Sequence, residues 1–571
     1  MDFWAYPYLI YYLALFLFWM PATHRQILFW LYLWQLKEYH WGRFLAHFET
    51  QIGRSIFVNP LFFAKIATLI FGTGYYFWTQ KIGIFVLLAA GLFFLQGLRA
   101  FWGILRRDLI HPELTSKAVF LISAAHLAVF GLGILVFSLF LGEMSLLDLA
   151  FAAFCLLAID ILIPVIVSLV VLGLQPVTIW RKNKILNHAR EIIKNRPDLL
   201  VIGITGSYGK SGVKELLASI LSKKYKVLKT QANQNTEMGV AQTIIDGLKP
   251  EHQVFVCEIG AVHKGKIAQT AGIAKPKISI LTGINQQHLG VFGGQQNIID
   301  AKFELLESLP KNGRAILGQN SAAILNFGSS LVRAGFDAKK DQIMAEKIIF
   351  AGKDIFASDI KSTIHNLSFI VNYQNQKIEI NTNARGNWMV DTILLVVLGA
   401  IAAGMEFGEI IRILNQTDFT PFNITLKRVE SFLNQKGSTL LKKINVIDST
   451  YSSNPDSVMA HLDYLSLFSN KKTIIMPCLI ELGKESKKVH FEIGKKIGEI
   501  CDLAIITAKE RFVEIKNGAL AAGMPPENII FCNNPKKITQ IIKNRLYSGD
   551  TILLEGRLPQ EIIKKFGAPP Q

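Results

Sequence analysis

The spacing of apolar residues changes character near residue 175. Before it, apolar runs are long and nearly unbroken, near Phe3 to Met20, Phe57 to Thr79, Gly83 to Trp102, Ala118 to Leu141 and Leu149 to Leu174. Each is long enough for a helix that crosses a bilayer. After it, the runs shrink to short β-branched stretches, such as Val254 to Cys257, Ile278 to Leu281, Ile474 to Met476, Ala504 to Thr507 and Thr551 to Leu554, separated by amphipathic segments. That alternation predicts parallel sheets covered by helices. The pattern therefore divides the chain into an α-helical membrane domain of five spans over 1–175, a basic juxtamembrane linker over 176–198, and two α/β domains over 199–422 and 423–571. The last boundary falls in the turn-rich stretch Thr420 to Arg428, after a helical run from Val390 to Met405.

Charge refines this picture. The loop after the first span carries Arg25, Lys37, Arg43 and Arg54, the loop after the third carries Arg106, Arg107 and Lys117, and the loop after the fourth carries Glu143 and Asp148. Basic loops stay on the cytoplasmic side, so the amino terminus faces outward and everything after span five lies in the cytoplasm, beneath the cell membrane. The basic residues behind the net charge of +18 are dispersed, and many lie in membrane-flanking loops, which suits anionic membrane lipid rather than nucleic acid. Gln26 to Phe48, with Trp30, Trp34, Tyr39 and Trp41 among basic residues, predicts either a helix on the inner membrane face or an aromatic belt between spans. Asp160, four residues before Pro164 in span five, is a costly carboxyl at bilayer depth. Lys65 is expected to snorkel toward its loop, and His126 is either a functional group or a packed histidine. Five cysteines without C-x-x-C spacing support neither a zinc site nor a disulfide framework.

The chemistry begins at Val201 to Glu215, VIGITGSYGKSGVKE, a glycine-rich turn directly after an apolar run. Gly203, Gly206 and Gly209 let backbone N–H groups face phosphate oxygens, with Ser207 inside the turn. Lys210 supplies a point charge and Ser211 a hydroxyl for Mg²⁺. This is a P-loop variant, and it implies a nucleotide. Downstream come TQANQNTEMGV from Thr230, EIGA from Glu258, LTGINQQHLGVFGG from Leu281, DAKFELLE from Asp300, VIDSTYSSNPDSV from Val446, IELGKESKKVH from Ile480 and LLEGR from Leu553.

In this order the motifs resemble the Mur ligase family over about Leu199 to Lys565, and most closely its D-alanyl-D-alanine-adding branch. The resemblance implies a P-loop central domain, a Rossmann-like C-terminal domain, and an ATP- and Mg²⁺-dependent, ADP-forming amide ligation through an acyl phosphate in peptidoglycan synthesis. By it, Lys210 holds the β- and γ-phosphates, Ser211 and Glu258 ligate metal, His288 lies close to a second metal, and Lys302 matches a lysine carbamylated in many relatives. Arg428 matches an arginine that reaches the γ-phosphate on domain closure. Asp448, Tyr451, Asn454 and Pro455 match the loop facing the nucleotide cleft, and Asn233 and Asn235 fall near phosphates and acceptor.

Several positions depart from the family pattern. Thr282-Gly283 replaces Thr-Asn, Asn320 is followed by Ser321 and Ala322 rather than an Asn-x-Asp pair, Trp388 stands where a histidine is usual, and only Asp448 remains of paired aspartates. Asn320 and Trp388 fall at the nucleoside, so adenine stacking on Trp388 is one expectation and weak ATP binding another. Relatives carry a UDP-sugar domain before the P-loop, and here the apolar spans take its place. The expected partners are therefore membrane lipid, a lipid-linked glycopeptide acceptor, an amino acid or dipeptide, and other wall-synthesis enzymes. A poly-γ-glutamate-type capsule ligase and a catalytically degenerate nucleotide-binding scaffold are the alternatives. A transporter driven by the P-loop domain is weaker, because no ABC-type signature follows.

Overall fold

The computed structural model describes all residues except 1–8, 38, 40, 49–50, 58, 80–81, 107, 140–144, 232–233, 261–262, 286–288, 319–346, 436–437, 451–452 and 567–571. The chain forms two compact units, Met1–Arg181 and Lys182–Gln571.

The first unit is helical: α1 (Leu9–Leu36), α2 (Trp41–His47), α3 (Gln51–Phe57), α4 (Pro60–Thr79), α5 (Gly83–Leu105), α6 (Ser116–Ser138) and the first part of α7 (Leu146–Lys194). Among the described residues α5, α6 and α7 are long and apolar enough to cross a membrane, and α4 holds a shorter apolar stretch, Pro60–Tyr75. The described part of the first expected span, from Leu9 to Met20, falls within α1, which continues to Leu36.

The aromatic stretch from Gln26 turns inward instead of forming a single surface helix. Trp34 is fully buried, stacks on Phe44 with ring centroids 4.0 Å apart, and donates its indole N–H to Ser168 Oγ at 3.1 Å. A large ring with one polar atom is better satisfied inside a bundle that offers it a hydroxyl. Lys65 does not snorkel. It is 5% exposed and ion-pairs with Asp160, which is 0% exposed and also accepts a hydrogen bond from Gln26 Nε2 at 2.5 Å. Opposite charges in a low-dielectric interior neutralise one another, which a lone carboxyl could not achieve there. His126 Nε2 meets His24 Nδ1 at 2.9 Å.

The basic stretch expected as a linker is helical as far as Lys194, because α7 runs on through Pro164 and Pro176. Leu186, Ala189 and Ile193 recur at helical spacing, and all three join the core of the second unit. Burial of that stripe holds the helix together despite its charged outer face.

The second unit opens with β1 (Leu200–Thr205), α8 (Lys210–Leu221), β2 (Val227–Lys229), α9 (Glu237–Gly247), β3 (Val254–Glu258), α10 (Lys266–Ala274), β4 (Ile278–Leu281), α11 (Leu289–Phe292), α12 (Gln295–Glu307), β5 (Arg314–Leu317) and β6 (Lys347–Phe350). These strands form a parallel sheet in the order β2-β3-β1-β4-β5-β6. Next comes an antiparallel sheet that the sequence pattern did not anticipate: β7 (Ile355–Ser362), β8 (Leu367–Tyr373) and β9 (Gln376–Thr382). Gln374 and Asn375, both with positive φ, close its second hairpin as a two-residue turn. Two helices, α13 (Trp388–Ala402) and α14 (Phe407–Gln416), complete this domain.

The C-terminal domain contains β10 (Thr425–Gln435), β11 (Ser438–Ser449), α15 (Pro455–Ser466), β12 (Lys472–Met476), α16 (Ser486–Ile500), β13 (Leu503–Ile506), α17 (Phe512–Ala521), β14 (Ile529–Phe531), α18 (Pro535–Arg545), β15 (Thr551–Glu555) and α19 (Gln560–Phe566). Its sheet order is β10-β11-β15-β12-β13-β14, parallel except for the edge hairpin β10–β11. Helices α16 and α17 touch through glycines: a Cβ on Gly494 would lie 2.1 Å from Ile515 O, and one on Gly518 2.1 Å from Phe491 O. Gly494→Ala must push the helices apart, so it is expected to destabilise this domain by about 1–3 kcal/mol, read as a lower denaturant midpoint.

Candidate active site

Strand β1 delivers the chain into the turn 206–209 at the end of the parallel sheet, and α8 leaves it. Two glycines are required there. A Cβ on Gly206 would lie 2.0 Å from Thr282 Oγ1, and Gly209 enters α8 in the left-handed region at φ 74°. Lys210, the first residue of α8, folds its ammonium back to donate to Gly206 O at 2.8 Å. Surrounding protein lowers its pKa, and the charge of Glu258 opposes that shift.

Glu258, at the end of β3, is the hub of the site and is 3% exposed. Its carboxylate accepts from Ser211 Oγ at 2.8 Å and from Asn235 Nδ2 at 3.0 Å, while Lys214 Nζ stands 3.4 Å away. Lys214 is itself fully buried and also pairs with Glu215 at 3.1 Å. The three expected residues Ser211, Asn235 and Glu258 thus converge, together with a lysine that the sequence reading missed. Its signal was a basic residue on the same helical face as Val213 and Leu217, both buried. Such a position demands an acidic partner.

The loop after β4 closes the other side. Ser207 N donates to Gly283 O at 2.7 Å, and Ser207 Oγ accepts from Asn285 N at 3.2 Å. A Cβ on Gly283 would lie 2.5 Å from Tyr208 Oη, so glycine at this position makes room for the P-loop tyrosine. Asn285, also missed, reaches into the C-terminal domain. Its Nδ2 donates to Asp456 Oδ2 at 2.8 Å and to Asn454 Oδ1 at 3.3 Å. Asn454 caps α15 reciprocally with Ser457, and Pro455 occupies the first helical position.

Lys302 on α12 is 4% exposed. Burial pushes its ammonium down to about 7, the charge of Lys210 adds to that, and Glu304 opposes it. Asp448, at the end of β11, accepts from Thr450 N at 3.1 Å and Thr450 Oγ1 at 2.8 Å. Arg428 is exposed on β10, opposite Asn445, and no contact ties it to the P-loop among the described residues. Trp388 sets its ring edge-to-face against His461 and Tyr464, with centroids 5.2 and 5.9 Å away, so residues of the C-terminal domain already occupy part of its surface. His461 Nδ1 in turn lies 2.8 Å from the fully buried Glu555. Asn233, His288, Asn320 and Tyr451 lie outside the described residues.

The residues present fit a nucleotide and its metal. The glycine turn leaves space where side chains would stand, an ammonium is at hand, and a hydroxyl and a carboxylate sit side by side. No cluster of three or more His, Cys, Asp or Glu able to hold a metal occurs among the described residues, which do not include His288; of those described, Ser211 and Glu258 would hold the ion.

Residues 204–400 match the Mur ligase middle domain and residues 433–558 the Mur ligase glutamate ligase domain. The chain belongs to the Mur ligase family. It is an ADP-forming, ATP-dependent ligase of peptidoglycan synthesis, and Mur ligases use ATP and Mg²⁺. It is 26% identical over 365 residues to the UDP-N-acetylmuramoyl-tripeptide–D-alanyl-D-alanine ligase of Synechocystis sp., covering 63% of this chain and 72% of the relative. The Escherichia coli ligase of the same name is 27% identical over 296 residues, or 52% of this chain and 61% of that protein. Among solved structures, MurF from Acinetobacter baumannii shares the fold with a TM-score of 0.55 at 24% identity, covering 67% of this chain and 79% of that one. A Thermotoga maritima MurF ligase in complex with ADP gives 0.53 at 21% identity, covering 68% and 83%. The motifs from Thr230 to Asp300 fall inside the first matched range and those from Val446 to Leu553 inside the second. Residues 1–203 lie outside both family domains.

Proposed function

We propose that this ligase adds D-alanyl-D-alanine, or an amino component like it, to the peptide carboxylate of a cell-wall precursor, working on the cytoplasmic face of a bilayer that holds its N-terminal helices. The observation that carries the reading is the convergence of Ser211, Asn235 and Lys214 on Glu258 beside the Lys210 turn. When bound, ATP with Mg²⁺ supplies the phosphoryl group that converts the acceptor carboxylate into an acyl phosphate, from which the incoming amine displaces phosphate. Lys210 exchanges its backbone carbonyls for phosphate oxygens. Ser211 and Glu258 present adjacent oxygens to the metal, and Asn235 fixes the tilt of the Glu258 carboxylate. Lys302, close enough to Lys210 to feel its charge, is a neutral amine over much of its population near pH 7 and so is open to carbamylation, which would place an anion beside the metal site. Arg428 reaches the γ-phosphate only if the C-terminal domain moves, and closure would exclude water from the acyl phosphate.

Three long apolar helices support the membrane part of the proposal. Confining enzyme and acceptor to one surface raises the effective concentration of the acceptor. Purified full-length protein in nanodiscs, given ATP, Mg²⁺ and D-alanyl-D-alanine, is expected to release phosphate at least about tenfold faster with a lipid-linked muramoyl-tripeptide acceptor than with its soluble UDP-linked counterpart. Equal rates would reduce the helices to an anchor. No release with either acceptor would sink the proposed substrates.

A further inference from the structure

The helical unit holds a partly open cavity of about 560 Å³ between α1, α4, α5 and α7, lined in part by Arg25, Lys65, Gln96, Arg99, Asp108 and Asp160. Its floor is already neutral: Lys65 and Asp160 pair with each other, and Gln26 completes the Asp160 carboxylate. What remains is one-sided. Among the described residues neither Arg25 nor Arg99 has a carboxylate within ion-pairing distance, and Asp108 is the one further acidic group on the wall. Three cations therefore face two carboxylates around this space.

A second observation points to a missing ligand. Gln96, in the middle of α5, is 7% exposed, and its amide nitrogen has no hydrogen-bond partner. An amide donor left unsatisfied inside a helical bundle costs free energy unless something enters to accept from it. The cavity wall supplies apolar surface too, from Phe29, Trp30 and Leu61. At this volume an orthophosphate ion would leave most of the space empty, whereas a phosphoester with a larger body would fill it.

We propose that this cavity binds a phosphate- or diphosphate-bearing molecule, held by the guanidiniums of Arg25 and Arg99 and by the Gln96 amide. Guanidinium forks match phosphate oxygens in pairs, and an uncharged amide donor adds a bond without a further counter-ion. The ligand would be either a lipid phosphate entering from the bilayer or a soluble diphosphate entering from the cytoplasm, and the two share this chemistry. The proposal stands on the helical unit alone and does not require the ligase reading.

The test uses full-length Lys210→Ala protein, so that the P-loop does not add to the signal. Binding is measured by native mass spectrometry and by microscale thermophoresis in nanodiscs. Three probes are used: polyprenyl phosphate in the nanodisc, inorganic pyrophosphate, and UDP. The paired change Arg25→Gln/Arg99→Gln is expected to weaken binding at least tenfold, and Gln96→Leu several-fold. Arg25→Lys/Arg99→Lys should retain part of the affinity, and thermal melting confirms that each variant is folded. Binding of the lipid probe alone assigns the bilayer as the source, and binding of pyrophosphate or UDP assigns the cytoplasm. No binding of any probe, or equal binding by the unchanged helical unit and the folded Arg25→Gln/Arg99→Gln variant, overturns the proposal.

Discussion

Replacing Lys210 by alanine is expected to lower kcat/KM for ATP-dependent phosphate release by on the order of 10²–10³-fold, about 3–4 kcal/mol of transition-state stabilisation, with little effect on folding. The structure explains why this variant is cleaner than one at Glu258. The Lys210 ammonium rests on backbone carbonyls of its own turn, so its removal strands no opposite charge. Glu258→Ala instead leaves Lys214 fully buried beside only Glu215, and breaking a buried pair in this way costs about 3–5 kcal/mol. Loss of activity there would confound chemistry with unfolding. Ser211→Ala is the better companion, since it removes one hydroxyl from the Glu258 carboxylate and leaves the Lys214 pairing in place. Unchanged phosphate release by folded Lys210→Ala protein would remove the turn from the chemistry.

The second large effect is expected at Lys302. With its pKa near 7, the neutral amine makes up roughly nine-tenths of the population at pH 8, and only that form attacks carbon dioxide. Protein held at pH 8 in ¹³C-bicarbonate should show a carbamate carbon by NMR that Lys302→Ala lacks. The variant should lose ligation on the order of 10²-fold and regain part of it with a small carboxylate such as formate. Stability provides an independent check of sign. Between about 7 and the ordinary 10.5 the unfolded chain holds a proton that the folded chain does not, so the unfolded state binds more protons and stability rises with pH across that window. Lys302→Met removes the group, and the pH slope of its melting temperature should flatten there. An unaltered slope, together with full activity, would make Lys302 an ordinary buried lysine.

Most of the ligase unit was legible because its signals are local. A β-branched run, a glycine turn and a following helix lie within fifteen consecutive residues, Val201 to Glu215, and the later motifs keep a fixed order. Residues whose meaning depends on a distant partner were not legible. Lys214 is intelligible only beside Glu258, and Lys65 only beside Asp160 on another helix. Asn285 looks like a loop residue until Asp456 and Asn454 come within reach. The continuation of α7 was obscured for a different reason: Arg181, Lys182 and Lys184 suggested a basic juxtamembrane linker, whereas the spacing of Leu186, Ala189 and Ile193 carried the helical period. The small antiparallel sheet was missed because its strands are only half apolar, and their hairpin is closed by Gln374-Asn375 rather than by a glycine.

The contacts between the central and C-terminal domains differ in kind. Trp388, from the central domain, is wedged against His461 and Tyr464, and Tyr464 Oη also donates to Ile364 O at 2.7 Å. Asn285 holds Asp456 by a hydrogen bond that solvent can reach. An aromatic ring can roll on its neighbours without being exposed, while a solvated hydrogen bond of this sort nets only about 0.5–1.5 kcal/mol and can be replaced by water. The ring contact can persist through a small rotation of the domains, whereas the asparagine contact acts as a latch that such a rotation breaks. A latch this weak favours the arrangement described here only several-fold, so the C-terminal domain should swing toward the γ-phosphate on thermal energy alone, and closure need not wait for a ligand to pull the Asn285 contact apart.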